Sequence, residues 1–184
     1  PTPSSAASDV YKRQGKHFCV GIDLVQGGLS NHMPSSIDSP ATANIKQLEG
    51  TKKFQDSVSA LANCAVPIIA VVHGHCLGAG IDMITACDIR VGAEGSNYSV
   101  RETRIGLVAD VGTLQRLPKV ISAGHVAELA YSGKDIDAKR AEKIGLINDV
   151  YPNFDEAMEG AYKLAETIAT VSYTHLRAHE TSTY

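Results

Sequence analysis

Pro67 followed by the unbroken apolar run Ile68-Ile69-Ala70-Val71-Val72 constrains this chain more than any other feature. All but Ala70 are β-branched, and no residue of the run is polar. A strand built from them has no face to offer water, so it belongs inside a sheet covered on both sides. His73-Gly74 ends the run, and glycines at 78 and 80 then introduce a helical stretch from Ile81 to Cys87. Strand, tight turn and helix in that order mark the α/β class.

The rest of the chain repeats this alternation. Lys16 to Leu24 reads as a short strand that turns sharply at Gly21. Gln26 to Asn44, rich in Gly, Ser, Asn and Pro, reads as a loop of the length that covers ligands. Ile45 to Cys64 places Ile45, Leu48, Val58 and Leu61 near helical spacing. Ile89 to Gly92 and Asn97 to Val100 follow as strands. Asp110 stands just before V-G-T-L-Q-R-L, a helix that Pro118 is expected to stop. Ser122 to Tyr131 and Asp137 to Ile144 are further helices, the second with an acidic cap. Leu146 to Tyr151 is a strand, and Phe154 to Ala169 a final amphipathic helix. There are no internal repeats and no second domain.

The length of 184 residues suits one domain with a real core, and 43% hydrophobic content is ordinary for a globular protein. A formal net charge of -3 provides no field that favours nucleic acid or an anionic membrane, so neither is expected as a partner. No apolar run approaches the roughly 20 residues of a spanning helix. Cys19, Cys64, Cys76 and Cys87 form neither a C-x-x-C pair nor a zinc spacing, and read as reduced, apolar cysteines of an intracellular protein. His73 and His75 flank Gly74, but two histidines without a third ligand do not make a zinc site, and no metal is expected.

Both ends look foreign. Ser4 to Gln14 (S-S-A-A-S-D-V-Y-K-R-Q) and Val171 to Thr181 (V-S-Y-T-H-L-R-A-H-E-T) each resemble a reading frame of a transposase-based sequencing adapter, one on either strand. Residues 1–14 and 171–184 are therefore expected to be non-native, leaving 15–170 as an internal fragment.

Three carboxylates gather around the glycine turn: Asp82 in the first turn of the helix, then Glu102 and Asp110. Unpaired amides at a helix start can hold an oxygen that turns negative during a reaction. Acids beside such amides can move protons. Each feature also has a plainer explanation. A glycine turn can merely connect strand to helix, Asp82 can answer the helix dipole, Asp110 can cap a helix, and Glu102 can sit solvated at a strand edge. No serine stands in a G-x-S-x-G elbow, and neither a Walker motif nor a complete dinucleotide fingerprint occurs.

Three long segments carry a resemblance: K-H-F-C-V-G-I-D-L, P-I-I-A-V-V-H-G-H-C-L-G-A-G-I-D-M-I-T-A-C-D-I-R and E-T-R-I-G-L-V-A-D-V-G-T-L-Q-R-L. Together they are similar to the signature segments of the crotonase (enoyl-CoA hydratase/isomerase) superfamily, over nearly all of residues 15–170. Asp110 stands where most of the superfamily has glycine, and V-A-D-V-G-T-L-Q-R-L-P-K-V resembles the dienoyl-CoA isomerase branch. The resemblance implies an α/β spiral of ββα repeats, here truncated at both ends, that forms homotrimers or hexamers in the intact protein. It implies an acyl-CoA substrate, no separate cofactor, and a place in mitochondrial or peroxisomal β-oxidation.

By the same resemblance, the amides of Val20 and Ala79 hold the thioester oxygen, while Asp82, Glu102 and Asp110 are the catalytic acids. Gly21, Asp23 and Gly78 fall among the substrate-binding positions. Val20 replaces a common alanine and Ala79 a common glycine; both act through backbone, and Val20 narrows the pocket. The implied reaction converts 3,5-dienoyl-CoA into 2,4-dienoyl-CoA. A 2-enoyl-CoA hydratase, a Δ3-Δ2 isomerase, an inactive fragment, and a non-catalytic acyl-CoA- or RNA-binding relative are the alternatives.

Overall fold

A computed structural model describes residues 9–12, 15–21 and 39–170. In chain order these form β1 (Asp9–Tyr11), α1 (Pro40–Ala62), β2 (Ile68–Val72), β3 (His75–Leu77), α2 (Ala79–Ala86), β4 (Ile89–Ala93) and β5 (Asn97–Ser99). A 3-10 helix (Glu102–Ile105) follows, then α3 (Thr113–Val120), α4 (Ala123–Ser132), β6 (Ile136–Asp137), α5 (Ala138–Lys143), β7 (Asp149–Tyr151) and α6 (Phe154–Ala169).

The strands divide into two sheets. One has the order β1-β2-β4-β7 and is parallel throughout; the other has the order β3-β5-β6. In the second sheet β3 pairs parallel with β5, and β5 antiparallel with β6. A strand of the first sheet thus steps into a strand of the second and then into helix, as β2-β3-α2 and β4-β5-α3 show. This is the ββα repeat that the resemblance implies.

The Ile68–Val72 run occupies the covered position expected of it. Ile68, Ala70 and Val72 join one core cluster with Phe18, Ile81, Ile84 and Leu117, while Ile69 and Val71 join another with Ala157, Met158 and Ala161 of α6. All five are buried, so alternate side chains feed cores on opposite faces. Arg90, buried at the start of β4, donates to the carbonyls of Cys87 (2.7 Å) and Leu146 (2.9 Å). It ties the end of α2 to the segment leading into β7. No disulfide joins the cysteines; Cys76 and Cys87 are buried, Cys19 and Cys64 half-buried.

Several expectations are corrected. Lys16 to Gly21 forms no strand beyond a single bridge between Cys19 and Cys76, and 22–24 lie outside the described residues. The loop assigned to Gln26–Asn44 ends earlier. Ser39 caps α1, its hydroxyl accepting the Thr42 amide at 3.3 Å, and Pro40 opens the helix as proline can at a first turn. Residues 26–38 lie outside the described set. Pro118 does not stop α3, which runs to Val120. It removes only the amide that would reach the Leu114 carbonyl, and Leu114 lies at the surface where water can substitute. Leu146 and Ile147 do not extend β7, because their amides close onto the Ala141 carbonyl of α5. Asp9–Tyr11 fall in the stretch read as foreign, yet pair with Ile68–Ala70; backbone ladders accept any sequence that can extend along an open edge.

Candidate active site

The turn between β3 and α2 is built around glycine. Gly78, the N-cap of α2, has φ 55° and ψ -118°, a conformation of the first central residue in a type II′ turn. Its amide bonds the Ser99 carbonyl at 2.9 Å. Gly80 lets α2 pack tightly on the strands below. A Cβ there would lie 3.0 Å from the Cys76 Sγ and 3.1 Å from the Cys19 Cβ. Segment 18–21 is held against this turn by the Cys19 amide on the His75 carbonyl (2.9 Å) and the Leu77 amide on the Cys19 carbonyl (2.8 Å). The next residue, Val20, and the first residue of α2, Ala79, both have amides with no hydrogen-bond acceptor among the described residues.

Both border a cavity of about 120 Å³. Gly21, Gly78, Asp82, Glu102 and Asp110 border it as well. Apart from Asp23, which lies outside the described residues, every site residue singled out from the sequence is therefore brought to one place. The remaining wall is apolar: Ile105, Leu107, Val108, Ala109 and Val111. Sequence reasoning passed over these five, since apolar residues beside a 3-10 turn carry no periodicity that separates a ligand wall from core.

The three acids have different surroundings. Asp82 is 1% exposed, and its Oδ1 accepts the amide of Thr113, the first residue of α3, at 2.6 Å. Asp82 therefore caps a helix other than its own. Asp110 is not that cap: the N-cap is Gly112, which has no side chain to offer. Here Asp82 supplies from α2 what the local sequence lacks.

Burial raises the Asp82 carboxyl above its ordinary range; contact with Thr113 and the positive charge of Arg116 oppose this, and the Asp110 charge reinforces it. Glu102 opens the 3-10 helix and is half-buried rather than solvated at a strand edge. Burial raises its carboxyl too, its own backbone amide opposing and the charges of Asp82 and Asp110 adding to the rise. Its Oε1 lies 3.3 Å from where a Cβ on Gly78 would stand. Glu102 Oε2 and Asp82 Oδ2 are buried without a partner among the described residues. Asp110 is exposed at the rim.

The rise at Glu102 has a consequence for stability. A carboxyl with a folded pKa above its unfolded one binds more protons in the folded state within that interval. Stability from this group is greatest below the unfolded pKa and is lost as pH climbs through the folded pKa. Glu102→Gln removes the titration. The variant is expected to melt above the wild type at neutral pH, with the difference shrinking as pH falls into the ordinary carboxylate range. Melting curves from pH 4 to 8 test this, and a gap independent of pH would refute it.

His17, His73 and His75 do not border this cavity. His17 stacks on His75 with ring centroids 4.4 Å apart, and His73 packs on Phe154. No group of three His, Cys, Asp or Glu among the described residues is placed to hold a metal ion.

Parallel ββα layers, two acceptor-free amides and an acid cluster on one apolar cavity agree with the comparisons with known proteins. The model of the family "Enoyl-CoA hydratase/isomerase" matches residues 12–183. The chain belongs to the enoyl-CoA hydratase/isomerase family. It is 39% identical over 161 residues to the mitochondrial Delta(3,5)-Delta(2,4)-dienoyl-CoA isomerase of Dictyostelium discoideum, covering 87% of this chain and 54% of that protein. It is 36% identical over 154 residues to the peroxisomal enzyme of the same name from Arabidopsis thaliana, covering 84% and 55%. A Thermobifida fusca YX protein of the enoyl-CoA hydratase type, solved in complex with CoA, matches with a TM-score of 0.79 at 25% identity, covering 94% of this chain and 65% of that one. The chain thus spans about half the length of the curated relatives it matches.

Proposed function

We propose that the protein to which this chain belongs isomerises 3,5-dienoyl-CoA to 2,4-dienoyl-CoA. The observation that carries the reading is that Glu102 and Asp110 border the same cavity as the acceptor-free amides of Val20 and Ala79. The thioester oxygen sits on those amides. Asp110, ionised, takes a proton from C2, and the electron pair spreads through the diene while the thioester oxygen becomes negative. Preorganised amides stabilise that charge by about 3 kcal/mol each. Glu102 donates a proton to C6, leaving double bonds at C2 and C4. A proton returned from Asp110 to Glu102 completes the cycle, so the product has the composition of the substrate. Only protons move, and the reaction as drawn calls for neither metal nor redox cofactor.

The raised Glu102 carboxyl supports the donor role, since a donor must hold its proton near neutrality. Asp82 stays beside the pair, adding its charge to that rise. The apolar wall from Ile105 to Val111 receives the acyl chain. Relatives bearing the isomerase name are mitochondrial or peroxisomal, and we assign the intact protein to one of those compartments. Homotrimeric or hexameric assembly belongs to the same proposal.

The test is ultraviolet absorbance of 3,5-dienoyl-CoA mixed with the intact protein. Growth of the more conjugated 2,4-dienoyl-CoA is expected. Hydration of 2-enoyl-CoA without isomerisation would replace this reading with that of a hydratase.

A further inference from the structure

We propose that Gln55 and Ser59 of α1, together with Arg116 of α3, are positioning residues that clamp the Asp110 segment at the rim of the cavity. The role rests on the isomerase reading above. Residues 109–112 belong to neither helix nor strand. The Asp110 amide closes only a local turn, on the Val108 carbonyl at 2.9 Å. A carboxylate that must meet one carbon of a substrate needs firmer support, because displacements near 1 Å can cost about 100-fold in rate.

That support comes from helix α1, more than fifty residues earlier in the chain. Gln55 and Ser59 are four apart, hence neighbours on one helical face. Gln55 Nε2 donates to the Asp110 carbonyl at 2.7 Å. Ser59 Oγ accepts from Arg116 Nη2 at 2.9 Å, and Arg116 Nη1 reaches the Val111 carbonyl at 3.4 Å. The guanidinium lies over Gly112. A Cβ at that position would push Nη1 aside, and φ there is +135°, a conformation that strains any L side chain, so the backbone favours glycine. Arg116 also presents its charge to Asp82, which holds the Thr113 amide at the other end of the same segment. Two carbonyls, one glycine and one amide, consecutive in the chain, are each held from outside. None of these residues needs to touch substrate.

The experiment compares wild type, Gln55→Leu and Ser59→Ala in the intact protein. It measures kcat and KM for 3,5-dienoyl-CoA, and amide hydrogen exchange of the unliganded protein. Gln55→Leu is expected to lower kcat about 5–10-fold with KM within about twofold. Exchange should quicken over Ala109–Thr113 while α1 stays protected. Ser59→Ala, a milder change that also serves if the leucine variant does not fold, should show the same split at about threefold. Unchanged kcat and unchanged exchange would overturn the proposal. So would a fall in kcat accompanied by faster exchange throughout α1, which would mark a purely structural role. A wild type that isomerises nothing removes the parent reading, and this role with it.

Discussion

Asp110→Asn is expected to lower dienoyl-CoA isomerisation by about 10²–10⁴-fold without lowering the melting temperature. Several features separate the two readouts. The Asp110 side chain is exposed and does not cap α3, because Asp82 fills that place. The clamp from Gln55 grips the backbone carbonyl of residue 110, which asparagine keeps. Asparagine has the same shape but cannot accept the C2 proton. The substitution also removes a negative charge that raises both Glu102 and Asp82, so the pH of half-maximal donor protonation should move down. Hydration of 2-enoyl-CoA, should the protein have any, is expected to suffer less, since it can proceed with two acids and a water. Full isomerase turnover in a folded Asp110→Asn protein would return Asp110 to the status of a surface residue.

Gly78→Ala is expected to damage stability and turnover together. At φ 55° and ψ -118° an L-residue is strained, by about 1–3 kcal/mol. The new methyl would also meet Glu102 Oε1 at 3.3 Å, tighter than ordinary contact, and the carboxyl is the group that can move. A displaced donor should lower kcat by about 10–100-fold. Shortening the neighbour distinguishes the two effects. Glu102→Asp withdraws the carboxyl, so in the double variant the contact contributes nothing further, and the two losses in kcat should fall short of additive. The loss in denaturation midpoint should persist, because backbone strain at 78 is independent of residue 102. Strictly additive kcat losses would show that Glu102 and Gly78 do not communicate through this contact.

How much of this was legible beforehand differs from element to element. The Ile68–Val72 strand and the Phe154–Ala169 helix were read at the bounds the structure has. Both depend on local signals: an apolar run broken by Pro67 and Gly74, and an amphipathic stretch begun by Asn153, whose side chain accepts the Glu156 amide at 2.9 Å. Asp137 was recognised as a cap for the same reason, accepting the Arg140 amide at 2.7 Å. The strand His75–Leu77 was missed because three residues between two glycines show no period. Seven residues of the cavity, Val20, Gly21, Gly78, Ala79, Asp82, Glu102 and Asp110, stand out through a likeness of long motifs, while its five apolar wall residues carry no such signal.

Local sequence dictates the α/β class and the covered central strand, since each depends on residues within a few positions of one another, and the acids stand out only through a likeness of long motifs. Tertiary structure alone decided what those acids do to each other. That Asp82 caps α3 from 31 residues away, that Glu102 lies against Gly78, and that α1 holds the Asp110 segment are facts of packing. The physical reason is range. Turns, caps and hydrophobic period act over one or two helical turns, whereas desolvation and charge act through space among groups that only the folded chain brings together.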